Sequence, residues 1–452
     1  MRRPTYLSIC LFLACLCYAC CASAQQKKVS QFESAGLCDL LIDKSGVYHA
    51  VFQESPGSGK PLFIYYSNSN NKGATWSKPV TVSNDNTGNG AGYARILQDG
   101  NGRIYAIWKR FGGPKASYPQ AAASLDGPGG GLSPGTVYYK VLSGGTWSNQ
   151  VMVNELETVQ NSWFATVTPA GSVQVFWSQA NPLMIQNDLN IQSGQCDHLR
   201  TVTLNGTSLS TFTNLNVPTK EMYGSYPATN DGIENLSGYV DKNGKPHILY
   251  EAVDETKKLS YFDGNKTRVV HTYPGYKAGL TYVYPPKLLV DEKGNDHLVF
   301  KPSPATLESE QIWDINLATN QTNVIASIQK AGVEIRGFQA SQGPNGAMAV
   351  TIEAYTHGSN QEAFGIFYSN GVWKNVGLTN NAAKEKFFSK EFPLLGPYKT
   401  SISALTRYSS TFASIAYDAA GKKSMLMTIS EDMSSLGVIY SSPSIVFIPL
   451  DR

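Results

Sequence analysis

A short turn motif recurs seven times along this chain and constrains its fold more than any other sequence feature. Each copy has an apolar run, an acidic or small residue, a glycine three residues later and a second apolar run. Glycine supplies the positive φ that tight turns between strands require. Each copy therefore predicts two β-strands around a turn. The turn glycines are Gly46, Gly102, Gly171, Gly244, Gly294, Gly346 and Gly421.

The residues after each motif indicate two further strands. Asn205-Gly206 and Asn370-Gly371 are strong hairpin signals in the third and sixth repeats. One small twisted sheet cannot bury both of its faces, whereas a ring of sheets stacks each face on a neighbour. We therefore predict an all-β fold, a β-propeller of four-stranded blades, with seven blades preferred and six as the alternative. A short helical segment is expected only at Asn381 to Phe388.

The first 24 residues are typical of a secretory signal peptide. Arg2 and Arg3 precede an apolar run that ends in Ala22-Ser23-Ala24. We expect residues 25–452 to form a single β-propeller domain that is exported to the extracellular space or the periplasm. A surface lipoprotein is the less favoured alternative. No later run reaches the roughly 18 apolar residues of a membrane helix, so no membrane span is expected.

Charge and cysteine content exclude several kinds of partner. The chain has 37 Lys and Arg against 34 Asp and Glu, so removal of Arg2 and Arg3 leaves 35 − 34 = +1. A chain so close to neutral does not have the positive charge that binds nucleic acid. Cys38 and Cys196 lie outside the predicted signal peptide. They form either a disulfide or two separate thiols. We expect no metal or other cofactor, and a monomer.

One turn carries a known motif. Residues 69–76, with the sequence SNNKGATW, resemble the Asp-box of the sialidase (BNR-repeat) β-propellers. In that family the box has Ser or Thr, Asp or Asn, Gly and an aromatic residue at fixed spacing, and it caps the turn between the third and fourth strands. The resemblance assigns this structural role to Ser69, Asn71, Gly73 and Trp76. The box does not itself decide the chemistry.

The same resemblance suggests a clamp for a substrate carboxylate. Sialidases bind this group with arginines, the first of which stands in an Arg-Ile-Pro motif. Arg95-Ile96-Leu97 is similar, with Leu97 in the place of the proline. The resemblance makes Arg95 the first clamp residue, Arg110 an auxiliary residue and Asp126 an acid on the following loop. Arg336 would extend the guanidinium cluster.

Loop lengths give a second indication of the site. The turns between first and second strands are short, whereas the loops on the opposite face are long, and long loops on a rigid scaffold commonly form binding sites. These loops are rich in tyrosine, which stacks on sugar rings and bonds their hydroxyl groups. Tyr223, Tyr276 and Tyr282 are the predicted ligand-binding tyrosines, and Tyr284 is a catalytic candidate.

Three glutamates near the ends of second strands are candidates for the carboxylate pair of a glycosidase. They are Glu54, Glu251 and Glu353. We expect them to face the rim with the long loops, where two of them, or one together with Asp126, would form the pair. Glu251 is the one that we place among the catalytic candidates.

Histidines recur with the turn motif. His49, His247 and His297 each follow the motif's aspartate by six residues. A position that is repeated around a ring predicts a structural role, since a catalytic base or metal ligand must converge on one site. His271, close to Tyr273, is the alternative, as the base of a lyase that removes the proton α to a uronate carboxylate.

These features predict an exported propeller that processes carbohydrate. The reaction would be hydrolysis by a sialidase-like glycoside hydrolase or elimination by a polysaccharide lyase. The alternative is a non-catalytic propeller that binds glycan or protein on the same face. Two titratable groups and an arginine in one place would favour the enzyme.

Overall fold

The computed structural model describes residues 27–32, 35–57, 60–83, 90–111, 135–153, 160–180, 196–215, 217, 232–253, 257–273, 285–302, 310–328, 333–356, 359–373, 376–377, 407–432 and 444–449. The predicted signal peptide and the predicted helix at 381–388 lie outside these residues. Within them no helix is long and apolar enough to cross a membrane.

The described residues are almost entirely β-strand. Those of the first half are β1 Lys27–Lys28, β2 Ala35–Ile42, β3 Tyr48–Glu54, β4 Phe63–Ser69, β5 Val80–Thr81, β6 Ala91–Gln98, β7 Ile104–Phe111, β8 Gly135–Ser143, β9 Thr146–Trp147, β10 Val151–Met152, β11 Gln160–Val167, β12 Val173–Ala180, β13 Cys196–Asn205, β14 Ser208–Leu209 and β15 Thr213–Leu215. Those of the second half are β16 Gly232–Val240, β17 Pro246–Val253, β18 Lys257–Phe262, β19 Thr267–Thr272, β20 Lys287–Val290, β21 Asp296–Phe300, β22 Glu310–Asn316, β23 Gln321–Ile328, β24 Val333–Gln342, β25 Met348–Thr356, β26 Ser359–Ser369, β27 Val372–Trp373, β28 Val376–Gly377, β29 Arg407–Tyr417, β30 Lys423–Asp432 and β31 Ser444–Pro449, with a 3-10 turn at Pro344–Gly346 between β24 and β25.

The strands form six hydrogen-bonded sheets built from antiparallel repeat units. Units 1, 4, 5 and 6 are β2–β5, β16–β19, β20–β23 and β24–β27, with β28 added at the edge of unit 5. Unit 7 is β29–β31, and β1 supplies its fourth strand. The ten-stranded sheet contains unit 2 (β6–β10) and unit 3 (β11–β15), which are joined through one residue pair, Gln160 with Gly135.

The first strands of the units close a ring. Contacts run from β2 to β6, β11, β16, β20, β24 and β29, and from β29 back to β2. The all-β propeller of four-stranded units is therefore confirmed. Counted by hydrogen bonding it has six sheets, the lower of the two numbers that the sequence allowed, because one sheet holds two of the seven repeats.

The core lies between neighbouring units, as the stacking of sheets in a ring requires. One cluster joins unit 1 to unit 2 through residues such as Ile64 and Trp108. Another joins unit 7 to unit 1 through Phe447 and Tyr48, whose rings meet edge to face with centroids 5.5 Å apart. Apolar burial on both faces of each sheet thus stabilises the ring.

The seven turn glycines all have positive φ, from 71° at Gly346 to 82° at Gly46, as predicted. In five repeats the motif's aspartate holds the turn. Asp43 Oδ1, for example, accepts hydrogen bonds from the backbone N–H groups of Ser45 at 2.9 Å and Val47 at 2.8 Å. The other four are Asp99, Asp241, Asp291 and Asp418, each accepting from the residues two and four positions later.

The cysteine pairing considered from the sequence stays a prediction, because the side chain of Cys196 lies outside the described ones. Cys38 Sγ lies 3.6 Å from the carbonyl oxygen of Leu426. Cys38 is on β2 in unit 1, whereas Cys196 begins β13 in unit 3.

Candidate functional site

One position on each first strand is equivalent in all seven units, and these positions define a level around the propeller axis. The residue lies seven positions before the turn glycine, and it pairs with the residue five positions after that glycine on the second strand. We call these residues the axial ring. They are Asp39, Arg95, Phe164, Ser237, Lys287, Gln339 and Ser414.

A β-bulge precedes the axial ring on six of the seven first strands. On β6, β16 and β29 the ring residue is the first one paired after the bulge. Bulges add twist and redirect the side chains beside them, and they are common next to binding sites. Tyr93 and Asn235 lie in two of these bulges with φ of 55° and 52°. This backbone feature sets the direction in which Arg95, Ser237 and Ser414 leave their strands.

Asp39 connects three units at the axial ring. Ser414 Oγ of unit 7 donates to Asp39 Oδ1 at 2.8 Å, and the backbone N–H of Ile96 in unit 2 donates to Oδ2 at 3.1 Å. Arg95 Nη1 lies 3.7 Å from Asp39 Oδ1. The Arg95 side chain remains 42% exposed, against 14% for Asp39. The guanidinium group is therefore anchored near one carboxylate and still accessible to a ligand.

Lys287 brings a second cation to this level. Its side chain is partly buried, and burial lowers the pKa of its amine to about 7, with the positive charge of Arg95 adding to the shift and Asp39 opposing it. Unit 5 lies three units from unit 2 in a ring of seven, so β20 and β6 are on opposite sides of the axis. The charges of Arg95 and Asp39 both act on the Lys287 amine, which places the three groups in one neighbourhood inside the ring of first strands.

Serine hydroxyl groups fix the spacing of the first strands around this centre. Ser162 Oγ accepts from Leu236 N at 2.8 Å, and Ser237 Oγ accepts from Leu288 N at 3.0 Å. Each bond joins the first strand of one unit to that of the next. Unit 4 therefore holds β20 directly, and the position of Lys287 depends on this contact between neighbouring units.

Glu251 does not face the rim. It is completely buried, and it forms an ion pair of 2.8 Å with Lys257 Nζ and accepts a hydrogen bond of 2.8 Å from Tyr273 OH. Asn235 Nδ2, in the bulge of β16, donates at 2.5 Å to Glu251 Oε2, the oxygen that also pairs with Lys257. The expectation of a rim carboxylate is corrected, because the end of the second strand is packed inside the unit and Glu251 there ties the bulge to β18.

Glu54 is likewise interior. Its carboxylate accepts hydrogen bonds from the backbone N–H groups of Gln31 and Phe32, and burial raises its pKa despite these bonds. It therefore fastens the segment after β1 to unit 1. Glu353 lies on β25, with its side chain outside the described residues.

The other two arginines predicted from the sequence, Arg336 and Arg110, lie on strands β24 and β7. Arg336 is on β24 at the bulge between Ile335 and Gly337, although its side chain is not among the described ones. Arg110 is partly buried near the end of β7, opposite Ala91. The predicted loop residues lie outside the described residues. They are Asp126, Tyr223, Tyr276, Tyr282 and Tyr284.

The repeated histidines have the structural arrangement expected of them. His49 Nε2 is 3.3 Å from Asp43 Oδ2, and its Nδ1 is 2.8 Å from Tyr66 OH. His297 likewise lies between Asp291 and Asp314. Each histidine side chain thus connects the turn of its unit to the third strand of the same unit.

His271 does not lie on one of the inner first strands. It lies on the outer strand β19, and its Nε2 is 2.8 Å from the carbonyl oxygen of Pro302 in unit 5. Burial lowers its pKa below the usual histidine range. The neighbouring Tyr273 is buried and donates a hydrogen bond to Glu251. This arrangement does not support the His271 lyase site.

The Asp-box residues form a closed turn between β4 and β5. Ser69 Oγ accepts from Gly73 N at 2.9 Å, and Asn71 Oδ1 accepts from Thr75 N at 2.9 Å. Trp76 packs on Phe447 of unit 7, with ring centroids 5.4 Å apart. The turn therefore lies against the unit that closes the ring, at a distance in sequence of more than 370 residues (447 − 76 = 371).

Sequence reasoning missed Asp39 and Lys287. The available signal was the constant spacing of seven residues before each turn glycine, which marks Arg95 and Lys287 as equivalent positions. In the sequence, Asp39 and Lys287 look like charged residues on any solvent-exposed strand, because their neighbours are known only once the ring is closed.

No family model matches this chain, and no curated protein matches it. Among solved structures, a protein of unknown function from Dyadobacter fermentans is 13% identical over 76% of this chain and 97% of its own, with a TM-score of 0.45. A leech intramolecular trans-sialidase is 12% identical over 77% of this chain and 70% of its own, with a TM-score of 0.45. A Penicillium chrysogenum α-L-arabinanase is 11% identical over 94% and 99% of the two chains, with a TM-score of 0.38. Similarity at this level concerns the course of the chain, and the protein is a β-propeller whose structural neighbours include sialidases and an arabinanase.

Proposed function

We propose that this protein is an exported carbohydrate-processing propeller that binds an acidic glycan at the axial ring through Arg95. The observation that carries the proposal is the accessible Arg95 guanidinium beside Asp39, on one of the first strands that close the ring. A guanidinium presents paired N–H donors that match a carboxylate in geometry and charge. Sialic acids and uronates are the common sugars that carry such a group.

Chemistry at this site would use groups from the long loops above the ring. Tyr284 directly precedes the segment that leads into β20, and Asp126 lies between β7 and β8. A sialidase-like hydrolase would use them as nucleophile and acid, whereas a lyase would need a base beside the carbon α to the bound carboxylate. Glu251 is left out of both mechanisms because of its buried ion pair. The reaction is expected to be one of these two.

The test is a binding and turnover screen of the mature protein. Sialosides and uronate-containing polysaccharides are offered, and the release of reducing ends and the ultraviolet absorbance of unsaturated products are followed together. Arg95→Gln should weaken binding of the acidic glycan by about tenfold to a hundredfold, the usual loss for one charge-assisted hydrogen-bonding group.

Arg200→Gln is the matched control. Arg200 lies on β13, where its Nε donates to Asn214 Oδ1 at 2.8 Å, away from the first strands. It should leave affinity unchanged. Equal affinity of the Arg95→Gln variant and the parent protein would contradict the assignment. Tight glycan binding without either product would favour the non-catalytic alternative.

A further inference from the structure

We propose that Lys287 is a second cationic residue of this site and that Lys287 and Arg95 bind one oxyanion of the glycan between them, inside the ring of first strands. The inference rests on the proposed function and adds the chemical class of the ligand, a sugar bearing a carboxylate or a sulfate ester. Lys287 was not among the residues predicted from the sequence.

The first support is position. Arg95 pairs with Ile107 and Lys287 with Val299, each five residues after the turn glycine of its unit, so the two side chains start from the same level. Their strands lie on opposite sides of the ring. An oxyanion bound inside the ring at this level would therefore have a cation on each of two opposite sides.

The second support is an imbalance of charge. Asp39 is the acidic group that acts on Lys287 among the described residues, and it also neighbours Arg95. Its two oxygens already accept from Ser414 and from the Ile96 backbone. Two cations therefore share one engaged carboxylate, and a bound oxyanion would relieve their mutual repulsion.

Other titratable groups near β20 have partners of their own. Strands β16, β17, β21 and β24 pack against it. Among the groups with described side chains, Glu251 pairs with Lys257, His297 with Asp314 and Lys301 with Glu310. Asp296 on β21 bonds His247 of β17 and Tyr239 of β16. Glu234 on β16, and Glu334 and Arg336 on β24, have side chains outside the described residues.

The pair has a distinctive dependence on pH. Because the pKa of Lys287 is lowered to about 7, its amine loses its charge near neutral pH, whereas Arg95 stays charged. Anion affinity should be highest near pH 6 and fall by about tenfold by pH 8, as one of the two cations is neutralised. A site built from Arg95 alone would show no such change.

The experiment measures affinity by calorimetry for three acidic probes, 3′-sialyllactose, a galacturonate tetrasaccharide and a sulfated galactan oligosaccharide, with lactose as the neutral probe. These probes distinguish a carboxylate from a sulfate as the anion. Lys287→Met should weaken the acidic probe at pH 6 by about tenfold and remove the pH dependence. Lys287→Arg should keep high affinity at both pH values, since arginine does not titrate there.

Lys293→Met is the control, because Lys293 is exposed in the turn of the same unit. It should behave as the parent protein. Equal affinity of the parent and the Lys287→Met variant at pH 6 would overturn the inference, as would an unchanged pH profile in the Lys287→Arg variant. If Arg95→Gln still weakens binding in that case, the proposed function stands without Lys287. If no acidic probe binds, the proposed function itself fails.

Discussion

At the scale of single residues, the axial ring shows how one position in a repeat takes on different tasks. Phe164 stacks on Phe176 with centroids 4.7 Å apart and serves packing. Ser237 and Ser414 link neighbouring strands through hydrogen bonds. Arg95 and Lys287 place two cations at the same level. A charge that burial disfavours, such as that of Lys287, is typical of binding sites, because it costs stability.

That cost gives a prediction about stability. The pKa of Lys287 in the folded state, about 7, is below the ordinary value of 10.5. Between these values the unfolded chain binds the proton and the folded chain does not, so this residue makes stability rise with pH in that window and is most unfavourable below pH 7. Lys287→Met should therefore raise the melting temperature by a few degrees near pH 6, and the gain should shrink as the pH approaches 10.5.

Thermal unfolding of the parent and variant across this pH range is the measurement. Lys293→Met, with an exposed lysine, should show no gain at any pH. A Lys287→Met protein that melts lower than the parent near pH 6 would mean that the charged amine is stabilised by a partner, contrary to the account.

At the scale of elements, short turns pack one unit against another, whereas the site lies on the first strands. Gly73 in the Asp-box has φ of 81°, and a Cβ at this position would overlap the Phe447 ring of unit 7. Gly46 has nearly the same φ, 82°, but open space around its Cβ position. A substitution at Gly46 therefore measures backbone strain alone, whereas one at Gly73 adds a clash with unit 7.

Gly46→Ala should cost about 1–2 kcal/mol, the usual penalty for a left-handed residue with a side chain. Gly73→Ala should cost about 3 kcal/mol or more, since strain and overpacking add. Urea unfolding of the two variants checks this difference. Equal losses would show that the Asp-box does not pack on unit 7.

How much the sequence reveals also differs between elements. The turns were predictable because glycine and aspartate act through their own backbone neighbours, as Gly46 and Asp43 do. Arg95 was reached through its resemblance to a known motif. Glu251 was misplaced because the end of a strand looks the same in sequence whether it faces the rim or the neighbouring strand. The role of Lys287 could not be predicted, because the sequence alone does not show that closure of the ring sets unit 5 opposite unit 2.

At the scale of the whole molecule, closure of the ring creates the site. β1 pairs with β31, and Val29 N donates to Ile445 O at 2.8 Å, so the first described residues complete the last unit. Closure brings unit 7 beside unit 1, where Ser414 reaches Asp39. It also sets unit 5 opposite unit 2. Arg95 and Lys287 are 192 residues apart in the chain (287 − 95), and only this geometry places them on opposite sides of one ring.

The titration of the Lys287 amine therefore tests the central claim most directly. Reductive methylation with carbon-13 makes each lysine visible by NMR, and loss of one signal in the Lys287→Arg variant assigns it. We expect this signal to titrate near 7, to move towards the ordinary lysine value in Arg95→Gln, and to move lower in Asp39→Asn, because Arg95 lowers and Asp39 raises the pKa. A Lys287 signal that titrates near 10.5 in all three proteins would contradict the account.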